Sequence, residues 1–229
     1  MRALAVIDGE HYAPVVRDAL AELPYEFAAA LLLGGTEKLH GGEEYGVPLV
    51  EGLGEALDRY GVEVAVDLSD EPVLGPVERF RLASEALALG LRYEGSDFRL
   101  DAPALLPCEL PSLAVIGTGK RVGKTAVTAH AARVLAQDRR VVVVAMGRGG
   151  PAEPEVVEMA PTVGDLLELA RSGRHAASDH LETAVLAGVP TVGCRRCGGG
   201  LAGAPATSNV AEGMRVATRL EPDLLLFDG

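Results

Sequence analysis

IGTGKRVGKTAVTAH, residues 116–130, places GKT directly after an apolar run. The phosphate-loop pattern is G-x-x-x-x-G-K-[ST]. Counting back from Gly123-Lys124-Thr125, its first glycine should fall at 118, but that position is Thr118, with Gly117 and Gly119 on either side. The physical needs of the loop survive the change. Small residues let the backbone close around phosphate, and amides can point inward at a helix N-terminus. Lys124 can reach β- and γ-phosphates, and the Thr125 hydroxyl can ligate Mg²⁺. Ser112 to Ile116 reads as the strand before the loop and Thr125 to Gln137 as the helix after it, which is the context the motif requires. Gly117, Thr118, Gly119, Lys120, Arg121, Val122, Gly123, Lys124, Thr125 and Ala126 are therefore expected to hold a nucleotide phosphate chain.

Working outward, Arg140 to Met146 is a second buried strand, and it runs into Gly147-Arg148-Gly149-Gly150-Pro151. Ligands of open α/β sheets bind beyond the C-terminal ends of strands, so Arg148 is placed to hold a phosphate or carboxylate. Asp223 to Phe227 is a last apolar strand, ending at Asp228-Gly229. Downstream of a phosphate loop this reads as a Walker B strand, with Asp228 holding Mg²⁺ beside Thr125. Val163 to Arg171 and His180 to Ala187 read as helices, Pro190 to Val192 as a short strand, and Ser208 or Asn209 as the cap of a helix to Arg219. The chain stops on a buried strand where more sheet is expected, which suggests a piece of a longer protein.

The first half alternates strand and helix. Arg2 to Ile7, Glu26 to Leu33, Val47 to Val50 and Val62 to Leu68 are the strands, and Pro14 to Leu23, Leu53 to Tyr60 and Val77 to Leu89 the helices. Leu91 to Leu100 reads as a hairpin turning at Gly95-Ser96, and Pro103, Pro107 and Pro111 then mark a linker. The fold class is α/β: a Rossmann-like N-terminal domain over residues 1–107, then a P-loop NTPase-type parallel α/β domain over 108–229 that is incomplete at its C-terminus.

The bulk numbers narrow the function. A chain of 229 residues with net charge −12 presents no nucleic-acid surface, and no apolar run reaches the ~18 residues of a membrane span. Three cysteines do not make a disulfide scaffold at this length, and the N-terminus lacks a secretory pattern, so the cytoplasm is expected. In so acidic a chain GCRRCGGGLAG, Gly193 to Gly203, stands out. Cys194 and Cys197 have metal-ligand spacing but are half a zinc site, with only His175 and His180 to invoke. Arg195, Arg196 and the three glycines read better as an anion loop. Asp8, Glu10 and His11 in IDGEHY follow the first strand and could line a pocket or merely cap a turn. The same two readings hold for Lys38 and His40 between Gly34 and Gly46.

The loop resembles that of dethiobiotin synthetase and its relatives. IDGEHY, GTGKRVGKTAV, AMGRGGP, GCRRCGGGLAG and SNVAEG (Ser208 to Gly213), taken in order, resemble the cyclic 2,3-diphosphoglycerate synthetase family across nearly the whole chain. The resemblance implies an ATP- and Mg²⁺-dependent ligase. ATP would phosphorylate one phosphate of 2,3-diphosphoglycerate. The other phosphate would then attack that mixed anhydride, closing the ring and leaving ADP and phosphate. It implies Lys124, Arg148, Arg195 and Arg196 as catalytic cations, with Asp8, Glu10, His11, Arg148, Arg195, Arg196 and Asn209 at the substrate. It also implies a homo-oligomer, a dimer when full length, and family members continue well past Gly229. The rival expectations are a P-loop kinase or ligase acting on another small acid, and a non-enzymatic nucleotide-binding regulatory ATPase.

Overall fold

The computed structural model describes residues 1–35, 39, 41, 43–117, 119, 121–200 and 204–229. Lys38, His40, Thr118, Lys120 and Leu201 to Gly203 lie outside the described residues. The chain divides into two units, Met1–Ala104 and Leu105–Gly229.

The first unit contains β1 (Arg2–Ile7), α1 (Ala13–Glu22), β2 (Glu26–Leu32), β3 (Leu49–Val50), α2 (Leu53–Tyr60), β4 (Val64–Asp67), α3 (Pro76–Ala88), β5 (Arg92–Glu94) and β6 (Arg99–Leu100). The sheet order is β3-β2-β1-β4-β5-β6, parallel except for β6, which returns antiparallel to β5 as the expected hairpin. β1 is buried on both faces, which is why its sequence is apolar without alternation. Leu4 and Val6 pack with Leu53, Ala56, Ala83 and Ala86 of α2 and α3. Ala5 and Ile7 pack on the opposite face with Val16 and Leu20 of α1. From β1 the chain steps outward through β2 and β3, then returns to β4 on the other side of β1. That reversal opens a crevice between the C-terminal ends of β1 and β4, the usual ligand position of this topology.

The second unit contains β7 (Ser112–Val115), α4 (Lys124–Leu135), β8 (Val141–Gly147), β9 (Glu155–Val157), α5 (Val163–Arg171), α6 (Asp179–Ala187), β10 (Thr191–Cys197), β11 (Thr207–Ser208), α7 (Val210–Thr218) and β12 (Leu224–Asp228). Its path is β11-β10-β8-β12-β7, with β9 also on β10. β7, β8, β10 and β12 run parallel, while β9 and β11 are antiparallel additions that the sequence did not announce. Strand alternation again sorts the core. Val141, Val143, Leu224 and Leu226 meet Ala129 and Ala132 of α4 and Ala187 of α6. Val142, Val144, Val192 and Leu225 meet Ala217 of α7.

One expectation is corrected in length. The strand read as Pro190 to Val192 is β10, seven residues to Cys197. Arg195 pairs with Gly147, and Arg196 and Cys197 pair with Ser208 and Thr207. The ladder offered by β8 and β11 outweighs the glycine and charges that end the apolar pattern. Arg195 and Arg196 thus sit on a strand end, and the glycine loop begins after them.

Candidate nucleotide-binding site

The phosphate loop joins β7 to α4. Gly123, at the N-cap of α4, has φ 91°, and Arg121 also lies at positive φ, 62°. At Gly117 a Cβ would come within 2.7 Å of Val122 Cγ2 and 2.9 Å of Lys124 Cδ, so a side chain there would force Val122 and Lys124 out of their present positions. Lys124 lies back along the loop, its Nζ donating to the Gly119 carbonyl at 3.3 Å. The first turn of α4 carries no acidic residue, leaving its positive dipole end open to an anion.

β12 inserts between β7 and β8, with Asp228 in register with Val115 on one side and Ala145 on the other. This puts the Asp228 carboxylate beside the loop. It is buried, and Thr183 Oγ1 donates to its Oδ2 at 3.3 Å. Burial pushes the carboxyl above its ordinary range. The hydroxyls of Thr183, Thr125 and Thr128 pull the other way, and the nearby charge of Asp179 adds to the rise. The donor set fits the phosphates and one divalent cation: loop amides, an ammonium, a hydroxyl and one carboxylate. Among the described residues no cluster of three or more His, Cys, Asp or Glu is arranged for a metal. A cation here would therefore lean on Thr125, Asp228 and the phosphates themselves.

The loop opens into a cleft of about 890 Å³. Arg121, Lys124, Arg148 and Arg196 line it, facing Asp179, Glu182 and Asp228. Gly117, Gly119, Val122, Gly123, Thr125 and Ala126 complete the loop wall. Arg148 enters from the end of β8 and Arg196 from the end of β10.

Arg195 does not line the cleft. Its N–H donates to Asn209 Oδ1 at 2.7 Å, and Asn209 Nδ2 donates to the carbonyls of Pro151 (3.3 Å) and Ala152 (3.1 Å). Asn209, at the start of α7, makes no side-chain cap for that helix and instead ties the loop after β8 to β10. Sequence reasoning did not pick out Asp179 and Glu182. The signal for Asp179 is Gly147, where a Cβ would meet the Asp179 carboxylate at 2.5 Å, but that contact joins segments too distant in the chain to be read beforehand.

The cysteines do not form a metal pair. Cys194 is buried against α7, and burial, with the charge of Glu212 adding, pushes its thiol up to about 11, while Cys197 is exposed. His180 lies over Gly193, which precedes Cys194 on the strand, so neighbouring positions face opposite sides of the sheet.

Asp8, Glu10 and His11 sit in the other unit, at the β1–β4 crevice. Buried Asp8 accepts from the N–H groups of Glu10 (2.9 Å), His11 (3.2 Å) and Asp70 (2.7 Å) and pairs with His11 Nδ1 at 2.8 Å. His11 Nε2 lies 3.4 Å from the Asp70 carboxylate. Burial alone would raise the Asp8 carboxyl, but the bonds from Asp70, His11 and Glu10 outweigh it and hold the carboxyl below its ordinary range. No helix among the described residues is long and apolar enough to cross a membrane.

Comparison with known proteins bears on both units. Residues 2–101 match the model described as cyclic 2,3-diphosphoglycerate synthetase, N-terminal domain, and residues 112–229 match its P-loop domain. Proteins named cyclic 2,3-diphosphoglycerate synthetase are 56% identical in Rubrobacter xylanophilus over 100% of this chain and 55% of the relative. They are 46% identical in Pyrococcus abyssi, over 99% of this chain and 56% of the relative. In Methanothermus fervidus the identity is 42%, over 100% of this chain and 55% of the relative. The chain thus spans about half the length of the curated relatives it matches. A solved DUF1611 family protein from Anabaena variabilis aligns with 100% of this chain and 65% of its own at 14% identity and a TM-score of 0.31, too loose a likeness to bear on the fold. With a family model over each unit, this chain belongs to the cyclic 2,3-diphosphoglycerate synthetase family.

Proposed function

We propose that this chain carries the ATP-binding and acid-binding machinery for closing 2,3-diphosphoglycerate into its cyclic diphosphate, with ADP and phosphate as the other products. The observation that carries the reading is the cleft itself, where Arg121, Lys124, Arg148 and Arg196 converge beside the P-loop in a chain of net charge −12. ATP and the acid are both polyanions, and bringing them together demands local cancellation of charge. Phosphoryl transfer is mostly positioning and charge stabilisation.

In this reading the loop from Gly117 to Ala126 cradles the nucleotide phosphates, and Lys124 neutralises the transferred group. Thr125 and Asp228 would hold Mg²⁺, which when bound screens charge on the phosphate oxygens. Arg148 and Arg196 orient the acid. One of its phosphates takes the γ-phosphoryl group and ADP leaves. An oxygen of the second phosphate then attacks the first phosphorus, the ring P–O–P bond forms, and the bond to the transferred phosphate breaks. An ionised phosphate is nucleophile enough, so no catalytic triad is called for. Arg195 and Asn209 position the strand and loop that present Arg196 and Arg148. Asp8, Glu10 and His11 offer a second polar site for the acid in the N-terminal unit. The full-length enzyme would work in the cytoplasm as a homo-oligomer.

Phosphorus NMR of the full-length protein with Mg-ATP and 2,3-diphosphoglycerate tests this. New cyclic-diphosphate resonances with ADP and free phosphate are expected. Arg196→Ala should weaken the acid at least about tenfold, since a hydrogen bond to a charged group contributes ~1.5–3 kcal/mol, with ATP affinity little changed. A phosphoester product that keeps the ATP phosphate would point to a kinase of another small acid. ADP formed with the diphosphoglycerate signals unchanged would leave a regulatory ATPase.

A further inference from the structure

Beside the P-loop cleft lies a smaller recess of about 320 Å³. The two share Gly149, His175 and Ser178, so the recess adjoins the cleft directly. Two polar side chains in its wall are buried and unsatisfied. Ser178 is 2% exposed and His180 is 4% exposed, and neither Ser178 Oγ nor His180 Nδ1 has a hydrogen-bond partner. Ser178 stands at the N-cap of α6, yet its side chain does not cap the helix. The His180 ring occupies the space left open at Gly193, where a Cβ would fall 2.5 Å from its Cγ. Burying an unpaired donor costs about 1–3 kcal/mol. Two in one recess favour a guest that accepts hydrogen bonds, and the two carboxylates in the first turn of α6, Asp179 and Glu182, line the P-loop cleft rather than the recess. The one carboxylate in the wall, Glu155, is taken up by Arg174, which grips it at 2.9 and 2.7 Å. What remains in the wall is a hydroxyl, two imidazoles and no unpaired carboxylate, the nearby Asp179 lining the adjoining cleft.

We propose that this recess holds the far anionic group, a carboxylate or phosphate, of the small acid whose reacting phosphate lies in the P-loop cleft, with Ser178 Oγ and His180 Nδ1 as donors. The identity of the acid rests on the function proposed above, whereas the anion site rests on the recess alone. At about 320 Å³ it has ample room for such a group, and the nucleotide has the larger cleft.

Histidine-labelled full-length protein tests the proposal. The imidazole resonances of His175 and His180, assigned with His175→Gln and His180→Gln, are followed while sodium acetate, inorganic phosphate and 2,3-diphosphoglycerate are added in turn. Saturable shifts of the His180 signals are expected with 2,3-diphosphoglycerate and with at least one simple anion. Response to acetate alone marks a carboxylate site, and response to phosphate alone a phosphate site. Ser178→Ala should weaken the 2,3-diphosphoglycerate response about tenfold with ATP affinity within twofold of wild type. If no anion moves the His180 signals, the recess assignment is overturned, whatever phosphorus NMR shows of the reaction. If a simple anion saturates them and 2,3-diphosphoglycerate does not, the assignment to this acid is overturned.

Discussion

Asp228 is a carboxylate placed where it destabilises the fold in order to face the phosphate loop. Burial raises its carboxyl above the ordinary 3.8 despite three threonine hydroxyls. Between 3.8 and that raised value the folded chain binds the proton more readily than the unfolded chain does. Stability therefore falls as pH rises through this window, and the cost persists above it. Asp228→Asn keeps the shape and removes the charge. In metal-free buffer at pH 7 its thermal midpoint should exceed that of wild type, by about 4 °C for each ~1 kcal/mol recovered. The difference should close as pH drops below about 4, and Mg²⁺-dependent ATP turnover should be lost. A lower midpoint at pH 7 would show that the carboxylate stabilises its surroundings instead. That Lys124, Thr125 and Asp228 belong to one phosphate-loop pattern was legible because GKT and an apolar strand ending in Asp are local patterns. Asp179 and the spent amide of Asn209 were not, because their partners lie 32 and 57–58 residues away in sequence.

Among the elements, β10 packs against a different helix on each face of the sheet. Gly193 leaves room for His180 on one face, and Cys194 presses towards α7 on the other, where its Sγ would lie 2.0 Å from a Cβ at Gly213. Such an overlap in a packed core costs about 1–3 kcal/mol. Gly213→Ala should destabilise by about that much in urea unfolding. Cys194→Ala in the same chain should recover a good part of it, so that the two changes couple. Additive losses would mean the helix simply shifts. The strand's apolar stretch was readable only to Val192, since Gly193, Arg195 and Arg196 break the run. Its extension to Cys197 comes from ladder partners on β8 and β11.

Across the whole chain, the first unit has its own six-stranded sheet with helices on both faces and separate apolar clusters beneath them. Residues 1–104 expressed alone should unfold in urea as one cooperative transition, with stability in the ~5–10 kcal/mol range of small domains. A broad, non-cooperative loss of structure would show that the unit needs the rest of the chain. The alternation of strands and helices made this class of fold readable from periodicity and glycine punctuation. The order β3-β2-β1-β4-β5-β6, and with it the crevice holding Asp8, His11 and Asp70, was not.

By itself the sequence determined most of the helices and parallel strands, the phosphate loop and the aspartate that ends β12, because each depends on residues within a few positions of one another. Tertiary structure alone decided which cations meet. Adjacent residues on a strand point to opposite faces, so of the two arginines on β10 only Arg196 lines the cleft. It also decided that Ser178 and His180 would be buried without partners beside the nucleotide site. Such placements arise from packing between segments far apart in the chain, and periodicity carries no record of them.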